Sequence, residues 1–150
     1  MKSLRCIRAA TMTLASMLWC LLAQAESMSE PQINYALHCQ GCHLPDGAGT
    51  SEKVPALKDE VGRFLQVPGG REFLIQVPGT SQSALTDAEV AGVLNWILYT
   101  FSKNELPADF TPYSTAEVAR LRRPPLANVS AVRERLMTKI LAGDARASFE

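Results

Sequence analysis

Cys39-Gln40-Gly41-Cys42-His43 reads CQGCH and puts two thiols and an imidazole into five residues. Four chemistries use such a cluster: structural zinc, a redox dithiol, a disulfide, and covalent attachment of a porphyrin. Structural zinc usually takes four protein ligands. Beyond residue 25 the chain offers only two cysteines and two histidines. His38 and His43 flank the same turn, a cramped arrangement for a tetrahedron. A thioredoxin-like dithiol sits at a helix N-terminus that follows a strand. The preceding Ile33-Asn34-Tyr35-Ala36-Leu37 reads as a short helix instead. A disulfide across two residues would close a small, strained loop.

Covalent haem fits the spacing better. Two thiols at C-x-x-C reach the two vinyl groups of one porphyrin, and the adjacent imidazole falls under the ring, where it can ligate iron. The N-terminus supports this reading. It carries Lys2, Arg5 and Arg8, then a mostly apolar run over 12–23, then Ala23-Gln24-Ala25. That is the plan of a secretory signal peptide, residues 1–25, cleaved after a small-x-small site. The alternative is an uncleaved anchor, but the run is shorter than the ~20 residues a span prefers. Cys20 raises a lipoprotein alternative, which the bulk of Trp19 disfavours. Cleavage would leave Cys39 and Cys42 as the only thiols. Export also matches the compartment where c-type haem is attached in bacteria, the periplasm. The whole chain is formally neutral, with 47% hydrophobic and 20% charged residues. Those are globular values with no nucleic-acid signature.

Over 31–101 the sequence resembles a class I cytochrome c. Tyr35 lies one turn before Cys39, CQGCH runs into Leu44-Pro45-Asp46-Gly47-Ala48-Gly49, and Val54-Pro55-Ala56-Leu57 follows. The resemblance implies one covalent haem c held by Cys39 and Cys42, with His43 as the proximal iron ligand. It implies that the Pro55 carbonyl accepts the Nδ1 proton of His43 and strengthens its donation, and that Leu57 packs on the haem edge. Simpler readings are a loop-stiffening proline and an ordinary core leucine. Thr86 and Glu89 form a capping box, T-x-x-E, ahead of a helix bearing Val90, Val93, Leu94, Ile97, Leu98 and Phe101. Segments 61–67 and 71–77 read as short helices, the second ended by Pro78-Gly79. No segment alternates as a strand does. The expected fold is all-α, a cytochrome c-like helical domain over 26–101 built around the haem.

One feature of the family is missing. The loop before the last helix usually brings a methionine to the iron's sixth position. Here Val77-Pro78 stands where Met-Pro would be expected. Beyond residue 25 only Met28 and Met137 remain. An open or water-bound site, Met137, or another group such as a lysine stay as alternatives. The helical period around Met137 favours a core role for it.

Residues 102–150 form a helical C-terminal extension. Ser114 to Glu117 reads as a second capping box opening a helix to about Arg123, and Ser130 as the cap of a helix over 131–142 that Gly143 stops. Val132, Leu136, Met137, Ile140 and Leu141 mark its apolar side, with Arg133 and Arg135 expected toward solvent or a partner. Charge is uneven: 26–109 carry five basic and eleven acidic groups, net −6, and 110–150 carry seven and four, net +3. The arginines at 120, 122, 123, 133 and 135 read as a docking surface for an acidic partner, as a strap across the haem domain, or as solvated helix faces.

The resemblance implies a periplasmic electron carrier rather than an enzyme. It would pass single electrons between redox protein partners, by analogy from a periplasmic dehydrogenase, with no membrane span once the signal is cleaved. The alternatives are a five-coordinate haem protein that senses small ligands or reacts with peroxide, and the haem subunit of a larger oxidoreductase. The missing methionine motivates the former. The scarcity of acid–base groups near the loop weighs against it.

Overall fold

In the computed structural model residues 27–50 and 53–147 are described; the signal peptide expected over 1–25 lies outside them. Among the described residues every regular element is helical, and the only β feature is an isolated bridge between Thr50 and Val54. The α-helices are α1 (Glu30–His38), α2 (Gln40–His43), α3 (Gly70–Gln76), α4 (Pro78–Ser81), α5 (Asp87–Phe101), α6 (Thr115–Leu121) and α7 (Val129–Ala147). Two 3₁₀ helices, Val61–Gln66 and Lys103–Glu105, join them.

Local sequence accounts for most of these boundaries. Pro31 sits in the first turn of α1, where its missing N–H costs nothing, and Glu30 complements the helix dipole. Thr86 caps α5 by accepting from the Glu89 N–H while the Glu89 carboxylate takes the Thr86 N–H at 2.7 Å. Hydrogen bonding to Thr86 holds the Glu89 carboxyl below its usual pKa. Helix α5 buries Val90, Ala91, Val93, Leu94, Ile97 and Leu98. It crosses α1 where Gly92 faces Pro31. Beside the crossing, the fully buried Tyr35 packs its ring centroid 5.1 Å from Trp96 and 5.2 Å from Phe101.

Several boundaries differ from the sequence expectation, each for a physical reason. Segment 61–66 winds as a 3₁₀ helix, and Gly69, in the left-handed region, turns the chain into α3. Helix α3 stops at Gln76, ahead of Pro78-Gly79 as expected, but Pro78 then stands in the first turn of α4, so the expected loop contains a helical turn. Ser114 caps α6 through the Glu117 N–H, while the Glu117 carboxylate, still near the Ser114 N–H, makes its strong pair with Arg71. The last helix begins earlier, because Asn128 Oδ1 accepts from the Ala131 N–H and so takes the capping role expected of Ser130. It also runs past Gly143 to Ala147.

One buried cluster spans both halves of the chain. Val61, Phe64, Phe73, Ile75, Val90 and Leu98 share it with Tyr113, Val118, Leu136 and Ile140. Met137 and Val132 pack against its edge, whereas Leu141 is 57% exposed. The extension is tied down by polar contacts as well. Arg71 on α3 makes a bidentate pair with Glu117 at 2.5 and 2.7 Å and donates to the carbonyls of Thr111 and Pro112. Its guanidinium lies 4.2 Å from the Tyr113 ring centroid. The pairing raises the Arg71 pKa and lowers that of Glu117. Asn95 on α5 exchanges two hydrogen bonds with the Tyr113 backbone, at 2.8 and 3.0 Å.

Candidate functional site

The CQGCH pentapeptide forms one helical turn. The N–H groups of Cys42 and His43 both donate to the Cys39 carbonyl, at 3.2 and 3.0 Å. Leu44 ends the turn at φ +65° and sends the chain outward. The Tyr35 hydroxyl donates to the Leu44 carbonyl at 2.5 Å, which ties this end of the turn to α1. Burial, with Cys39 once ionised at high pH and the Asp46 charge adding to it, pushes the Tyr35 pKa up to about 12, so the phenol remains a donor. That hydrogen bond is not legible in the sequence, where Tyr35 reads only as an aromatic one turn before Cys39.

The loop after His43 doubles back on itself. Gly49 donates to the His43 carbonyl at 3.0 Å, Leu57 donates to the Gly47 carbonyl at 2.8 Å, and Thr50 pairs with Val54. Gly49 lies at φ +69°, and a Cβ there would run into the backbone of Val54 and Pro55. Gly47, at φ +73°, would press a Cβ onto the Phe101 ring. Both glycines meet two demands that other residues do not, positive φ and close approach. Their combined effect is to bring Pro55 to His43. The His43 Nδ1 lies 3.2 Å from the Pro55 carbonyl oxygen. A carbonyl only accepts, so Nδ1 carries the proton and Nε2 keeps its lone pair. Burial lowers the His43 pKa, partly opposed by this hydrogen bond, and favours the neutral ring.

The other residues read from the sequence fall as follows. Cys39 and Cys42 are free thiols, Cys39 half-buried and Cys42 exposed. Burial raises the Cys39 pKa and keeps it a thiol. Leu57 is half-buried against the core cluster. His38 is exposed at the end of α1. Met137 lies against the core edge, on a helix of the extension. Among the described residues no group of three or more His, Cys, Asp or Glu converges as a metal set would. The donor set therefore fits covalent haem better than zinc: two unpaired thiols at C-x-x-C spacing, and a neutral imidazole with its outer nitrogen free.

A cavity of about 350 Å³ opens beside Pro55 and is lined by Lys53 and Arg133 among others. Arg133 is half-buried rather than turned to solvent, with its guanidinium 5.9 Å from the Phe64 ring centroid. Sequence reasoning missed this approach, because a charged residue next to Val132 reads as the polar flank of an amphipathic helix. Arg135 is exposed as expected. Arg122 is buried and hydrogen-bonded to the 81–87 segment, so it belongs to a strap rather than to an open docking surface. Among the described residues no helix is long and apolar enough to cross a membrane.

No family model matches the chain. Two curated proteins do. Cytochrome c-552 of Thermus thermophilus is 31% identical over 115 residues, covering 65% of this chain and 88% of that protein. A cytochrome c-552 from a named strain of the same species is equally similar, over 65% of this chain and 78% of its own length. With the C-x-x-C-H turn, the all-helical fold and a match across most of a relative's length, the chain belongs to the c-type cytochromes, the proteins that carry haem c covalently.

Proposed function

We propose that this chain is an exported electron carrier that holds one haem c through Cys39 and Cys42. The observation that carries the reading is the His43–Pro55 contact, since it leaves Nε2 of a neutral imidazole free beside two free thiols. When bound, the haem supplies a one-electron couple at iron. The two thiols would hold the group by thioether bonds to its vinyl carbons, and His43 would offer Nε2 to the metal. Pro55 fixes the ring plane and withdraws the Nδ1 proton toward its carbonyl, which makes Nε2 a better donor. Leu57 would cover an edge of the group. Lys53 and Arg133, the cations lining the cavity beside Pro55, would face its carboxylates. No acid–base pair is needed for this work. The weak, brief interfaces of redox proteins suit an exposed haem edge, and donor and acceptor are redox proteins, by analogy a periplasmic dehydrogenase on the donor side. Intact mass spectrometry after acid-acetone extraction tests the attachment. The expected mass is the polypeptide plus one haem; release of all the haem into the acetone would defeat the proposal.

The sixth position lacks the usual methionine in this reading. Val77 caps α4 and packs against the core, and residues 77–86 contain no methionine. The oxidised protein is expected to show little or no near-infrared thioether–iron band and to bind added ligands. A strong band would point to Met137, and Met137→Ala would then remove it. If Met137 is core instead, that substitution leaves the spectrum alone and costs about 2–5 kcal/mol at most, given its partial burial.

A further inference from the structure

Arg122, at the C-terminal end of α6, is only 5% exposed and is the one charged residue that is buried among the described residues. Its Nε donates to the Ser81 carbonyl at 3.0 Å. Nη1 donates to the Leu85 carbonyl at 2.7 Å and to Asp87 Oδ1 at 3.0 Å. Nη2 donates to the Ser83 carbonyl at 2.7 Å and to Ser83 Oγ at 3.1 Å. All three guanidinium nitrogens are thus engaged, four of the five contacts going to neutral oxygens. A buried cation with a single carboxylate partner, itself partly exposed, is poor stabilisation for its desolvation. What the arrangement does specify is shape. Carbonyls at 81, 83 and 85 converge on one rigid planar fork. The segment is filled from within by the buried Leu85 and by Ser81, and Val77 packs against the core. The Ser83 hydroxyl also donates to the Thr80 carbonyl.

We propose that Arg122 is a positioning residue that locks residues 77–86 closed over the side of the haem opposite His43. It thereby limits access of small ligands to an iron that no methionine of this segment ligates. The proposal rests on the reading that this segment takes the place of the methionine-bearing loop. The extension would then do more than stabilise. A haem protein with an open sixth position binds small molecules when the wall beside it opens, and local opening is set by how firmly that wall is held. A wall pinned at three carbonyls keeps the protein an electron carrier.

The test uses full-length holoprotein: wild type, Arg122→Lys and Arg122→Ala. Imidazole is the probe, its association with the oxidised protein followed by absorption in stopped flow. Arg122→Ala should bind imidazole at least tenfold faster, with its haem still attached by mass, and Arg122→Lys should fall between, since an ammonium reaches fewer of the carbonyls. A folded Arg122→Ala protein with an unchanged rate overturns the proposal and leaves Arg122 as an anchor of the extension alone. If the alanine variant does not accumulate, hydrogen exchange on the wild type decides. The amides of Ser81, Gln82 and Ser83 should exchange as slowly as those of α5, and fast exchange overturns the lock. A thioether–iron band in the wild type removes the underlying reading, and the proposal with it, before any variant is made.

Discussion

His43→Ala is expected to give a protein with no normal reduced c-type spectrum and no redox couple in the range of the wild type. The magnitude follows from the site. His43 is the only imidazole whose inner nitrogen is held by a carbonyl, while His38 is exposed at the end of α1. No described cluster of other ligands stands ready to replace it. Alanine would also leave the Pro55 carbonyl without its donor, a loss on the order of 1–3 kcal/mol where water is excluded and less where water enters. Absorption and voltammetry of the purified variant provide the check, with Pro55→Ala as the control. Alanine at 55 keeps a backbone carbonyl, so it should shift the potential far less than loss of the imidazole does. A native spectrum in His43→Ala would require a different metal ligand and a rebuilt site.

The parts of the site legible in the sequence are those encoded by short spacing. The C-x-x-C-H turn, the twelve-residue step from His43 to Pro55 and the Thr86–Glu89 box are each read from neighbours along the chain. Hydrogen bonds that cross the fold leave no such trace. Arg71 to Glu117 spans 46 residues and Arg122 to Ser81 spans 41. Glu117 shows why. As a sequence it completes a capping box, but the competing partner is a guanidinium, and a charge-assisted bidentate pair is roughly twice as strong as a neutral hydrogen bond. For Arg122 the docking surface, strap and solvated-face readings stayed open because burial is invisible to charge counting. Asn128 outcompeted Ser130 as the cap two residues earlier, a shift within the ordinary scatter of helix ends. The orientation of Arg133 was illegible for a related reason. A long side chain at the edge of an apolar face can point either way, and the partner that decides, here Phe64 beside the cavity, is far away in sequence.

Truncation after Leu106 is expected to lower the melting temperature of the holoprotein by roughly 20 °C or more, or to leave a protein that does not hold its haem. The segment beyond 106 supplies Tyr113, Val118, Leu136 and Ile140 to the buried cluster, each no more than 4% exposed. Burial of such side chains stabilises by about 1.5–3 kcal/mol apiece, an upper bound because the unfolded chain is itself partly compact. Removing them uncovers the faces they packed on, Phe64 and Phe73 among the cluster. The polar ties fail at the same time. Arg71 loses Glu117 and two carbonyls, and Asn95 loses both bonds to Tyr113. A loss of several kcal/mol is a large share of the ~5–15 kcal/mol typical of a domain. In a domain of roughly 60–100 residues each kcal/mol moves the midpoint by about 4–8 °C. The comparison that separates packing from electrostatics is a second variant, Val118→Ala with Arg71 and Glu117 intact. It should cost roughly 1–3 kcal/mol through the cavity alone. A truncated protein with an unchanged midpoint would mean that 107–150 is a free arm in solution, and its arginines would then be available to an acidic partner after all.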